Sequence, residues 1–273
     1  MQNKPVQKGV RHLRACSSRC ACSGMQQTNA SLFPGISGST LKLIAILSML
    51  IDHAGATVIR TIWQSPVISS SVSQSQLWNE IYKSSRSIGR IAFPIFCFLI
   101  VEGFLHTRNV WRYARRLFLF SLISEIPFDL ALKGSWYFPG KQNVYFTLLI
   151  GLLVLVGLRF FLESPHRLLH WLWPLVLIAG MYTAFWIDTD YNYKGVFLIA
   201  VLYLLRRERF VQCIGCAVSV AWEMPAPIAA IPIYLYNGTR GRQMKYFFYW
   251  FYPVHLLVLY GISKYLIPIL PNL

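Results

Sequence analysis

Acidic side chains are scarce in this chain: Asp and Glu together number 10 among 273 residues, against 26 Lys and Arg. Charge of either sign makes up only 13% of the sequence, where soluble domains carry about 25%. That shortage excludes a water-facing surface over most of the molecule. Glycine-rich phosphate loops, serine nucleophile elbows and an HExxH helix are also missing, and with them the signatures of several common hydrolases. The six cysteines define no disulfide framework. Cys16, Cys20 and Cys22 lie near the N-terminus, Cys97 sits in an apolar run, and Cys213 and Cys216 form a lone CxxC in another, where a thiol acts as a small hydrophobe.

What is present is hydrophobic: 55% of residues, in runs of about 20 that recur from residue 41 to the C-terminus. Such runs are too long and uninterrupted for barrel strands, which cross in about 9–11 alternating residues. The sequence predicts an all-α, polytopic transmembrane helical bundle with about nine spans, at 41–60, 87–106, 112–132, 143–162, 168–187, 194–206, 210–224, 226–236 and 246–269. The sixth to eighth are short and interrupted by proline. Residues 1–39 read as a disordered, basic cytoplasmic arm without a signal-peptide core, and 40–273 as the membrane domain. Met25 offers an alternative start.

Net charge is +16, which in a soluble protein would suggest nucleic acid. No nucleic-acid module accompanies it. The basic residues instead cluster in every second connection: Lys4, Lys8, Arg11 and Arg14, then Arg108, Arg112, Arg115 and Arg116, then Arg159 and Arg167, then Arg206, Arg207 and Arg209, then Arg240, Arg242 and Lys245. The intervening connections are mostly polar or acidic, with Lys83 and Arg86 as exceptions in the first of them. Positive charge marks the cytoplasmic side, so the N-terminus is expected inside and residues 61–86 form the largest external loop.

Ionisable residues inside the apolar runs carry the functional argument, because a charge at mid-bilayer costs about 2.5–3.5 kcal/mol on insertion scales. In "LKLIAILSMLIDHAGATVIR" (41–60), His53 lies about 18 Å along a helix begun at Leu41, beyond the middle of a bilayer core about 30 Å thick. Its neighbour Asp52 points elsewhere, so another helix has to hold the imidazole. A buried histidine with a purely structural hydrogen bond competes with a base titrating near neutrality. Arg86 and Arg90 share one helix face, as do Glu102 and His106, and as do Glu125 and Asp129 around Pro127. Arg86 also fits an interfacial snorkelling role, and the two carboxylates fit cross-helix pairing with Arg90 or Lys42. Glu102, His106 and His53 suit zinc by type, but not by spacing, and no metal is expected. His255 follows Pro253 within the last span.

Three stretches together resemble the TraX family of bacterial membrane proteins: "LKLIAILSMLIDHAG", "IGRIAFPIFCFLIVEGFLHTRN" continuing through "YARRLFLFSLISEIPFDL", and "NGTRG" leading to "FFYWFYPVHLLVLY". "NVYFTLLIGLL" fits as well, and the likeness extends over 40–270. The resemblance implies N-terminal acetylation of pilin subunits and kinship with the wider transmembrane acyltransferases. Those place a basic residue in the first span with ten residues between it and a catalytic histidine, as Lys42 and His53 stand here. Their RxxR pair differs from this chain, where three residues separate Arg86 from Arg90.

The mechanism so implied uses acetyl-CoA as acyl donor. Lys42, Arg86, Arg112, Arg115 and Arg116 are expected to bind it, and His53 to act as base or acyl carrier. Asp52 is counted with it among the catalytic residues, Glu102, Glu125 or Asp129 orient the imidazole or stabilise its charged form, and Arg90 stabilises the oxyanion. Asp129, His106, Tyr252 and His255 are assigned to the acceptor, a pilin-like protein or small amine. The expected location is the bacterial cytoplasmic membrane. O-acetylation of a glycan or lipid head group is the nearest alternative. A proton-coupled transporter also uses buried ionisable residues, and a non-enzymatic assembly factor completes the set.

Overall fold

The computed structural model describes residues 35–242 and 245–269. The expectations for the N-terminal arm fall outside the described residues up to position 34, as does the alternative start at Met25. Among the described residues the chain is helical, without a β-strand, and its only bridges are two isolated pairs, Ile36 with Tyr236 and Gln142 with Thr189.

Helix α1 covers Gly38–Trp63. Ser37 caps it by accepting from the Thr40 amide. Leu41, Ala45, Met49 and His53 recur at helical spacing and are buried, while Leu43, Leu47 and Ile51 on the other side are exposed to the surroundings. One stripe faces the bundle and the other faces lipid, and His53 belongs to the buried stripe. Just beyond His53 the helix widens into a π turn, Gly55–Ile59, a feature common at functional sites. The Thr57 hydroxyl there donates to the His53 carbonyl at 2.6 Å.

Residues 61–86 are not a loop, contrary to the reading of their serine-rich composition. A short turn, Pro66–Ser69, leads into α2, Val72–Gly89, which returns antiparallel along α1. The sequence hid this helix because its serines and glutamine lower the mean hydropathy. Its apolar residues nevertheless keep helical spacing, and Trp63 of α1 stacks on Tyr82 and donates to Ser75. Gly89 lets the two helices touch: a methyl added there would collide with the Asp52 side chain. Small residues at such crossings are the common means of close helix approach in membranes.

After a break at Arg90, α3 (Ala92–His106) runs through the centre with Ile95, Cys97, Phe98 and Val101 fully enclosed. Helix α4 (Val110–Lys133) is capped by the Asn109 side chain and closed by Gly134 in the left-handed conformation. Helices α5 (Val144–Leu162), α6 (Trp173–Trp186), α7 (Asn192–Leu204) and α8 (Arg209–Ser219) pack in succession. Around prolines 225, 227 and 232 the predicted eighth span becomes two short turns, Ala226–Ala229 and Ala230–Tyr234. Helix α9 (Lys245–Gly261) returns against α1 and α4.

Among the described residues five helical stretches are long and apolar enough to cross a membrane: Gly38–Trp63, Val72–His106, Val144–Leu162, Arg167–Trp186 and Tyr246–Ile269. Helices α7 and α8 are apolar but shorter. The protein is therefore a membrane-type helical bundle.

Candidate active site

Two cavities open at different levels of α1. The first, about 620 Å³, is lined by Gly38 and Lys42 of α1, Glu102 and His106 of α3, Tyr113 and Arg116 of α4, Tyr145 of α5, and Arg108, Tyr236, Arg240, Phe248 and Tyr249. The second, about 490 Å³, is lined by Asp52 and His53 together with Arg86, Arg90, Lys141, Asp190, Tyr191, Lys194, Trp222 and Glu223. Lys42 and Asp52 are ten residues apart, which places the two levels about 15 Å apart along the helix axis.

The Lys42 cavity is basic with aromatic walls. Lys42 lies over the Phe248 ring, and Arg240 reaches across to donate to the His106 carbonyl at 3.0 Å. The Nε of Arg116 is buried without a hydrogen-bond partner. Four cations against Glu102 make this a place for an anion bearing a flat ring, and its size matches a small-molecule site. Of the basic residues predicted for the acyl donor, Lys42 and Arg116 are here. Arg112 and Arg115 lie on the exposed side of α4 and do not line it. Arg86 is at the other cavity. Arg108 and Arg240 complete the set instead. Sequence reasoning noted both only as marks of the cytoplasmic face, and no local spacing joins them to Lys42.

The Asp52 cavity is built from ion pairs. Arg86 meets Asp52 at 2.5 Å, Arg90 meets Glu223 at 2.5 Å, and Lys141 meets Asp190 at 3.2 Å. Each joins two separate segments of chain, so the pairs brace the mouth. Lys194 lies over the Trp222 ring at 3.7 Å. Tyr191 stacks flat on Phe93. Desolvation, reinforced by the nearby Asp190, Glu223 and Asp52 carboxylates, holds its phenol well above the ordinary range and keeps it neutral.

His53, on the wall of the Asp52 cavity, forms a histidine pair with His255. His53 Nδ1 is 2.7 Å from His255 Nε2, and His255 Nδ1 is 2.7 Å from the Phe251 carbonyl oxygen. A carbonyl only accepts, so His255 Nδ1 carries a hydrogen. Neutral His255 then has its lone pair on Nε2, and His53 Nδ1–H donates to it. The basic nitrogen of His53 is consequently Nε2. The partner from another helix that the imidazole requires is thus His255. Tyr252, one turn before His255 on α9, packs against both rings at 5.9 and 5.7 Å.

The predicted carboxylates do not reach the imidazole. Glu125 accepts from both the amide and the side chain of Asn143. Asp129 accepts from the Phe138 amide at 2.7 Å. Glu102 stays with His106 and Arg209 at the Lys42 cavity. Glu102 and His106 therefore line a different cavity from His53. Arg90 lines the Asp52 cavity as half of its pair with Glu223.

The family described as TraX protein matches residues 37–263. The chain belongs to the TraX family. The matched region contains both cavities and both histidines. This TraX chain is also similar to a probable fimbrial assembly protein FimC, serogroup H1, of Dichelobacter nodosus, with 28% identity over 249 residues, covering 83% of this chain and 95% of that protein. No solved structure matches it.

Proposed function

We propose that this TraX-family chain is an integral-membrane acetyltransferase, moving acetyl from acetyl-CoA to an amine, with a pilin-like N-terminus as the leading acceptor. The observation that carries the reading is the His53–His255 pair: a base with an assigned tautomer on the wall of the polar cavity, on the same helix as Lys42 of the basic one. In this proposal the N-terminus and the Lys42 cavity, beside the basic connections, lie on the cytosolic side of the bacterial inner membrane. The Asp52 cavity then opens outward. The phosphates of coenzyme A lie on Lys42, Arg108, Arg116 and Arg240, and the pantetheine arm leads the thioester towards His53. The fimbrial assembly relative supports a pilin-like acceptor over a glycan or lipid head group.

The acceptor nitrogen attacks the thioester carbonyl carbon, forming the C–N bond. His53 Nε2 takes the proton lost from that nitrogen, and the Nδ1 proton moves to His255 Nε2. The positive charge is thereby shared across the pair. The C–S bond breaks, the proton returns to the thiolate, and the products are the acetylated amine and coenzyme A. Arg90 is close enough to the Asp52 cavity to bear on oxyanion charge only if its pair with Glu223 loosens.

Purified full-length protein in lipid vesicles, given acetyl-CoA labelled in the acetyl group and a short peptide with a free N-terminal amine, tests this. Coenzyme A release and labelled peptide are expected, with both lost in His53→Ala. Transfer unaffected by that change removes His53 from the mechanism. No transfer at all by wild type, with no acetyl-CoA binding, removes the enzyme reading.

A further inference from the structure

A chain of aromatic contacts links the linings of the two cavities through Tyr252. Tyr145 lines the Lys42 cavity and His53 lines the Asp52 cavity. Tyr252 touches both, its ring centroid 5.1 Å from Tyr145 and 5.9 Å from His53. It lines neither cavity and is only 3% exposed. The Tyr145 hydroxyl donates to the Tyr249 carbonyl at 3.3 Å, which ties that ring to α9 one turn before Tyr252. The line from Tyr145 of the basic cavity to His53 therefore runs past the Tyr252 ring.

We propose that Tyr252 is the partition between the acyl-donor and acceptor chambers and that it restricts the donor to acetyl-sized acyl groups. The inference rests on the acetyltransferase reading above. A thioester reaching His53 has to displace the Tyr252 ring from its T-shaped contact with Tyr145. The room so gained is bounded by the close-packed side chains of α1, α5 and α9, which do not yield readily to added methylenes. A two-carbon acyl group fits beside a displaced ring; each further methylene has to push into that packing. The closed ring also keeps water of the Asp52 cavity away from the thioester until the acceptor arrives, so loss of the partition uncouples hydrolysis from transfer.

The test compares initial rates of coenzyme A release from acetyl-, butyryl- and hexanoyl-CoA by full-length protein in lipid vesicles, with and without the amine peptide. Binding of the same three thioesters is measured in parallel. Wild type is expected to prefer acetyl over hexanoyl by at least tenfold. Tyr252→Phe, which keeps the ring, retains that preference. Tyr252→Leu and Tyr252→Ala reduce it to threefold or less and raise peptide-independent release. Tyr145→Leu, which removes the other face of the contact, shifts the ratio in the same direction and covers the case in which the Tyr252 variants fail to fold. A ratio unchanged in every folded variant, while wild type still transfers acetyl, overturns the partition and leaves the enzyme reading standing. Wild type that neither binds nor consumes any of the thioesters overturns both.

Discussion

His53 donates to His255 rather than the reverse, because the Phe251 carbonyl, 2.7 Å from His255 Nδ1, takes the only hydrogen that neutral ring carries. One backbone oxygen on α9 thus sets the tautomer of a histidine on α1. The ordering also predicts how the pair responds to change. His255→Ala removes the acceptor of the Nδ1–H and frees the ring to adopt either tautomer. The expected loss in kcat is about 10²-fold, at the low end for general acid–base catalysis, with the KM for acetyl-CoA little changed. His255→Gln keeps a side-chain oxygen that can accept, and should recover part of the rate. Equal rates for His255→Ala and wild type would show that the pair is only packing.

The proposal that the Lys42 cavity holds the acyl donor makes a second, separable prediction. Neutralising Lys42 or Arg116 with glutamine should raise the KM for acetyl-CoA about tenfold each, equivalent to about 1.4 kcal/mol, with a smaller effect on kcat. The effect should shrink as salt rises, since the proposed partners are charged phosphates. Arg112 and Arg115 face away from that cavity, so their neutralisation should move KM much less. Steady-state titrations at two ionic strengths distinguish these outcomes. Equal sensitivity of all four positions would point to a diffuse surface field instead of a built site.

A third prediction concerns stability. Gly89 abuts the Asp52 side chain where α1 and α2 cross, and Asp52 is held there by Arg86. Gly89→Ala has to separate the helices or swing Asp52 away, an overpacking that costs about 1–3 kcal/mol. The thermal midpoint in detergent should fall by several degrees, and the Asp52–Arg86 pair should loosen with it. An unchanged midpoint would mean that the crossing has slack the close approach does not suggest.

The extent to which the sequence disclosed all this follows from the range of the forces. Hydropathy is local, so the apolar stretches of α1, α3, α5 and α9 could be read directly. Helix α2 could not, because its serine-rich face is polar and only its packing on α1 reveals why it is helical. His53 was visible as an ionisable residue in an apolar run, and its need for a partner followed from helix geometry. That partner is 202 positions away, and no spacing rule connects positions so distant. The same holds for Asp52 with Arg86, 34 residues apart on different helices, and for Arg240 with Lys42. Glu125 was expected near the imidazole from the mechanism that the family resemblance implies. The structure uses it to hold Asn143, the residue that caps α5.

The proposed chemistry depends on which cavity faces the cytosol, and that can be tested without any substrate. Glu163 lies just past the end of α5, on the Lys42 side, and Lys133 ends α4 beside the Asp52 cavity, where Leu132 contributes to the lining. Both are exposed. Single cysteines at these positions, in a background with the six native cysteines replaced by alanine, report the side directly. A membrane-impermeant maleimide should label Lys133→Cys in intact spheroplasts, and Glu163→Cys only after permeabilisation. The basic connections at the Lys42 end demand this result if positive charge marks the inner face. The reverse pattern would leave the cluster of Lys42, Arg108, Arg116 and Arg240 facing away from cytosolic acetyl-CoA, and the donor would then have to be something supplied from outside.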